Sequence, residues 1–336
     1  MRNLCLALCA IATIAHALGA AEISEEESEG LVVFSLKQGG TRVRIAPSAG
    51  ANVFSIEVDG VEYLRQPTRM HELAGVGFGN PVLYPTPNRV KNAAFTFQGQ
   101  RVQFQANAGP NFIHGLVNRH PWQVTDSNFD ETSATLRMAA DFRTNTTLHL
   151  KFPFPHQLFL SVRVSESTVR WTYEVDNSDG ITSIPFGFAL HPYFLYQGSR
   201  ADTYLNIPAT HWMESNRQLP SGRLVPAADL DFPLNAPMSL AGTQFDDVFF
   251  GISPQTSTTI DFRGAMRKIS IAASEEFTHL VVWTPDRPYF GVESQTCSTD
   301  AHNLFAAGFV NESHLQICPP GKKMSGWVEY RIHDAN

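Results

Sequence analysis

Runs of lysine and arginine are missing from this chain of 336 residues, whose formal charge is −7. That balance argues against nucleic acid or an anionic membrane as the partner. Charged residues make up only 17% of the chain and hydrophobic ones 43%, which excludes a mainly disordered polymer. Past the first twenty residues no segment approaches the roughly 18 consecutive apolar residues of a membrane helix, so the mature protein is expected to be soluble. Walker loops, strand-linked GxGxxG, HExxH, paired CxxC and GxSxG are all absent. Tyrosine and tryptophan are sparse, 8 and 5 against 24 phenylalanines. With 23 glycines and 21 prolines, that bias leans toward strands and turns.

The N-terminus carries its own signal. Met1-Arg2-Asn3 supplies a short positive start, Leu4 to Ala15 is apolar apart from Thr13, and small residues follow at Ala17, Gly19, Ala20 and Ala21. Residues 1–20 read as a secretory signal peptide, with cleavage fitting after either Gly19 or Ala21. The mature protein is therefore expected to be exported, periplasmic or secreted. Cys5 and Cys9 leave with the leader, so only Cys297 and Cys318 remain. In an oxidising compartment these two either pair or stay as buried free thiols. Closing that loop of about 20 residues would contribute about 3 kcal/mol, and spacing alone does not choose between the readings. Residues 21–30, rich in glutamate, read as a solvated acidic linker.

From Leu31 onward the dominant period is two. Phe95 to Phe104 alternates apolar and polar residues around Gly99, a hairpin signal. Leu158–Val164 and Val169–Val175 flank a polar turn and predict a second hairpin. Further strand-like runs cover 132–142, 257–263, 268–273, 279–283 and 327–332. No long 3.6-residue periodicity, repeat or low-complexity tract competes with them. The expectation is an all-β chain with one large antiparallel domain over residues 31–336, built as packed sheets.

Five polar settings stand out. Asn88-Arg89 ends a stiff Tyr84-Pro85-Thr86-Pro87 approach, and His114 sits between Phe112-Ile113 and Gly115. His191 lies in the otherwise apolar Phe186–Phe194 stretch, Asp246-Asp247 lie between aromatics, and Glu293 closes Phe290-Gly291-Val292. Each also has a plain reading: a satisfied core histidine, a turn cap, a turn-forming aspartate pair, half of an ion pair. Glu293 resists it most, since glutamate is almost never fully buried without a partner. No histidine shows a metal-ligand spacing such as HxH.

Taken in order, Asn88-Arg89, Phe112-Ile113-His114-Gly115, His191-Pro192-Tyr193-Phe194, Phe245-Asp246-Asp247-Val248-Phe249, Gly291-Val292-Glu293-Ser294-Gln295-Thr296, Asp300-Ala301-His302-Asn303 and Pro319-Pro320-Gly321 resemble the aldose 1-epimerase (galactose mutarotase) family. The resemblance covers residue 31 to the end. It implies a galactose-mutarotase-like β-supersandwich, and an isomerase that interconverts the α and β anomers of a free hexose with no cofactor or metal. It also implies Glu293 as general base, His191 as general acid, and Arg89, His114, Asp246 and Asn88 as sugar-binding groups. The carboxylate takes the C1-hydroxyl proton while the imidazolium protonates the ring oxygen. The ring then opens, C1–C2 rotates, and closure on the other face inverts the anomeric centre. Such a pair is expected in one cleft, on opposite sides of a sugar-sized gap. Trp283 is expected either to face the pyranose or to pack in the core. Two other readings remain: a hexose-6-phosphate 1-epimerase, which would need a cationic cluster that Arg65, Arg69, Arg119 or Arg287 could supply, and a carbohydrate-binding protein of the same fold without turnover.

Overall fold

The computed structural model describes residues 20–335. Apart from Ala20, the signal peptide expected over residues 1–20 lies outside the described residues. Three antiparallel sheets carry the fold. The first is a five-stranded meander in chain order, Glu22–Ser28, Leu31–Gln38, Thr41–Ala46, Asn52–Val58 and Val61–Glu62. The second has nine strands, with Thr168–Asn177 and Lys322–Asp334 paired at its centre over ten residue pairs. The third has eight strands, including Asp246–Phe250, His279–Trp283 and Tyr289–Gln295 as consecutive neighbours.

Alternation along the strands decides which residues face inward. In Thr168–Asn177 every second residue is buried, which turns Val169, Trp171, Tyr173 and Val175 into the core. The nine-stranded and eight-stranded sheets meet there through aromatic rings: Tyr173 stacks on Phe188 at 4.6 Å, and Phe194 meets Tyr330 at 5.5 Å. This is where the phenylalanine-rich composition is spent. The predicted hairpins form as Ala94–Phe97 with Gln100–Gln103 and as Gln157–Ser165 with Thr168–Asn177. Helix is confined, among the described residues, to short pieces such as Ala301–Ala306 and Val310–Ser313. No helix there is long and apolar enough to cross a membrane.

One expectation needs correction, and one alternative left open by the spacing is resolved. Residues 21–30 are not a linker, because Glu22–Ser28 is the outer strand of the first sheet, in register with Leu31–Gln38. Its glutamates find cations on neighbouring strands, Glu22 with Lys37 at 3.4 Å and Glu26 with Arg44 at 2.5 Å, while Ile23 packs on the core. Nor do Cys297 and Cys318 pair; both are buried free thiols. Cys297 Sγ lies so close to Gly187 that a β-carbon there would sit 2.2 Å away. Cys318 Sγ instead faces the carbonyls of Val175 and Lys322 at 3.8 and 3.5 Å. The two sulfurs sit in different surroundings.

Candidate active site

The strand Tyr289–Gln295 is buried on both faces. Phe290 and Val292 point into the aromatic core, so Gly291, Glu293 and Gln295 project from the opposite face. Residues directly across an antiparallel pair share a face. The register sets Glu293 beside Val281, Gly291 beside Trp283, and Trp283 beside Asp246. One sheet face therefore carries Asp246, Trp283, Gly291 and Glu293. A small apolar cluster of Met213, Val248, Val281 and Leu304 covers the same face, which removes water from the carboxyl.

His191 follows the strand Ala189–Leu190, anchored by its amide donating to the Pro81 carbonyl at 3.0 Å. Its Nε2 lies 3.3 Å from Glu293 Oε1, and both side chains are almost wholly buried, 6% and 3% exposed. The expected sugar-sized gap between them is absent. The two groups touch, because their strand segments both border the same face of one sheet. The Glu293 pKa is pushed up to about 8 by loss of solvation first; the Gln295 amide, donating to Oε2 at 3.1 Å, opposes the shift, Asp246 adds to it and Arg89 opposes it. Desolvation likewise lowers His191 to about 4. Near neutral pH the pair holds one proton, which burial favours on the carboxyl.

His114 and Arg89 come from a two-stranded pair, Arg89–Val90 with Phe112–Ile113. His114 adopts a left-handed φ of 70°, and Gly115 follows at 67°, where a β-carbon would lie 2.4 Å from the Tyr84 carbonyl oxygen. Only glycine fits that turn, and the turn sets the His114 ring 5.0 Å from the His191 ring, nearly perpendicular to it. Burial holds His114 well below its ordinary pKa, with His191 and Arg89 adding to the effect, so it acts as a neutral hydrogen-bonding ring. Arg89 Nη1 donates to Asn88 Oδ1 at 3.1 Å. Burial lowers the guanidinium pKa, and Asp246 and Glu293 pull it back up.

The adjacent aspartates separate by face. Asp247 Oδ1 accepts from the Trp212 indole at 2.8 Å, on the side away from Glu293. Asp246 shares the Trp283 row, interacts with Arg89 and accepts from Gln218 at the tip of the hairpin formed by His211–Asn216 and Leu219–Pro226. Burial raises the Asp246 pKa, against the pull of Arg89 and Gln218. All six residues singled out in the sequence, Asn88, Arg89, His114, His191, Asp246 and Glu293, thus border one region.

Trp283, expected either at the sugar or in the core, stands half-buried with its ring 6.1 Å from His191. Other members were not singled out: Tyr193 stacks on His191 at 4.7 Å. Gln295 bonds Glu293, as above. Tyr193 and Gln295 each lie two residues beyond a chosen residue in extended chain, and that period of two was the available signal. Asp300 braces the Arg89 segment: its amide donates to the Arg89 carbonyl at 2.8 Å, and its carboxylate accepts from the Lys91 amide at 2.9 Å and from Asn303 at 2.7 Å. Among the described residues no group of three or more His, Cys, Asp or Glu side chains is placed to hold a metal ion.

A family model described as aldose 1-epimerase matches residues 32–331. The uncharacterized protein YihR of Escherichia coli K12 is 25% identical over 228 residues, spanning 66% of this chain and 71% of that protein. Among solved structures, a galactose mutarotase-like protein from Clostridium acetobutylicum superposes with a TM-score of 0.83 at 21% identity, covering 94% of this chain and 99% of the other. The galactose 1-epimerase of Lactobacillus acidophilus NCFM gives 0.75 at 13% identity, with 95% and 100% covered. These structural likenesses carry the β-supersandwich fold.

Proposed function

Because the chain belongs to the aldose 1-epimerase family, we propose that it interconverts the α and β anomers of a free aldose, with Glu293 and His191 as its proton-transfer pair. The observation that supports this most is the 3.3 Å contact between two desolvated groups that together hold one proton. A hemiacetal hangs its hydroxyl and its ring oxygen on a single carbon. An acid and a base that serve those two oxygens must themselves be neighbours, so contact suits the reaction better than a wide gap.

The chemistry balances within the pair. The shared proton passes from the Glu293 carboxyl to His191 Nε2, leaving carboxylate and imidazolium. Glu293 takes the C1-hydroxyl proton as His191 protonates the ring oxygen, and the C1–O5 bond breaks to give the open aldehyde. Rotation about C1–C2 and the reverse transfers close the other anomer, and the pair ends with the proton count it began with. Arg89, Asp246 and His114, with Asn88 fixing the guanidinium, are the groups that would bind and orient the hydroxyls. Trp283 and Tyr193 would offer apolar surface to the pyranose. If residues 1–20 act as the secretory leader they resemble, the reaction is carried out after export.

Polarimetry or NMR anomer exchange on freshly dissolved α-D-glucose and α-D-galactose tests the reading, with a Glu293→Gln variant alongside. Acceleration by the wild-type protein is expected, with a loss of about 10²–10⁴-fold in the variant. Acceleration that survives the substitution removes Glu293 from its role. Absence of acceleration on free aldoses shifts the reading to a phosphorylated substrate or to binding alone.

A further inference from the structure

A cavity of about 570 Å³ adjoins the acid–base pair through His114 rather than enclosing it, and its size is that of a small-molecule site. Most of the amides in its wall are already engaged. Gln103 donates to the carbonyls of Ala93 and Phe104 and accepts from Arg101. Asn107 is bonded through both its amide groups to the backbone of Ile113, and Asn118 donates to the His114 carbonyl. What remains uncommitted is Gln105, Arg119 and Lys151. Neither the Arg119 nor the Lys151 side chain has an ion-pair or hydrogen-bond partner among the described residues, and no carboxylate lines the cavity. His114, which also lines the wall, has its Nδ1 buried without a hydrogen-bond partner. The Arg119 guanidinium is seated against Gly75, where a β-carbon would come within 2.9 Å of its Nε. A cavity whose wall holds two unpaired cations and no carboxylate suits an anion, in a protein whose overall charge is negative.

We propose that this cavity is a subsite for a negatively charged substituent on the sugar, a carboxylate, phosphate or sulfate, held by Arg119 and Lys151. This rests on the epimerase reading for the sugar itself and narrows its substrate to an acidic aldose. Arg119 supplies the planar fork that matches an oxyanion, and Lys151 supplies a mobile point charge.

The test is calorimetric binding of matched pairs, D-glucuronate with D-glucose and D-galacturonate with D-galactose, with D-glucose 6-phosphate as a further arm. Wild type, Arg119→Ala/Lys151→Ala and the charge-retaining Arg119→Lys/Lys151→Arg variant are compared, with anomer exchange recorded on the same samples. Wild type is expected to bind at least one anionic sugar about tenfold or more tightly than its neutral counterpart, with the preference weakening as salt rises. The alanine variant should bring the ratio near one, and the charge-retaining variant should keep most of it. The tighter of carboxylate and phosphate names the substituent. Equal affinity for charged and neutral sugars overturns the subsite, and so does a preference that survives both alanines. Failure to accelerate any sugar overturns the epimerase reading, while the binding ratio still decides the subsite.

Discussion

Glu293 keeps a proton that a carboxyl in water would have lost, and His191 refuses one that a free imidazole would accept below about pH 6.5. Both follow from burial, and both keep the pair at one proton over a wide range. Below about pH 4 the pair holds two protons and has no base; above about pH 8 it holds none and has no acid. The rate of anomer exchange should therefore follow a bell with limbs near about 4 and about 8, belonging to the pair rather than to either residue. A profile with no alkaline limb up to pH 10 would count against a proton shared by these two groups. Burial of Glu293 was readable from its apolar surroundings in the chain. Its contact with His191 was not, because 102 residues of chain separate the two.

Asp300, at the start of the helix Ala301–Ala306, shows how a distant segment places a binding group. Asp300 is a brace for Arg89, touching its carbonyl and the Lys91 amide rather than the candidate sugar space. Asp300→Ala should raise KM for the sugar several-fold while lowering kcat much less, since Arg89 loses its support and the Glu293–His191 pair does not; Asp300→Asn, which keeps an acceptor, should recover part of the loss. Steady-state anomer kinetics separate the two constants, and a fall confined to kcat would contradict the brace. Strands with clean alternation, such as Leu158–Val164, declared themselves in the sequence because one face is core and the other water. Glu22–Ser28 did not, since only Ile23 of it packs on the core and its dense charge resembles a solvated tether. It is a strand because its neighbours supply hydrogen bonds and cations. The free state of Cys297 and Cys318 was equally beyond spacing, which carries no direction for a sulfur.

Among the described residues, burial lowers the pKa of six histidines: His191, His156 and His302 to about 4, His279 to about 3, His114 well below its ordinary value, and His120 below it. Each of the first five stays neutral in the folded state while the unfolded chain binds a proton below about pH 6.5. Each therefore removes on the order of 1.4 kcal/mol of stability per pH unit as the pH falls from about 6.5 toward its folded value. The carboxyls whose pKa burial raises, Glu293 first and with it Glu62, Asp246 and Asp300, act in the opposite sense. The thermal midpoint should drop clearly between pH 7 and pH 5, and a flat curve over that window would show that these rings are not neutral and buried together. The acidic outer strand has a consequence of another kind. An uncovered sheet margin is a template onto which a second molecule can add strands, and here that margin is armed with four glutamates at positions 22, 25, 26 and 27. Two such margins approaching each other would repel before they could zip together, so the segment gives the protein colloidal resistance to edge-to-edge fibre growth at high concentration.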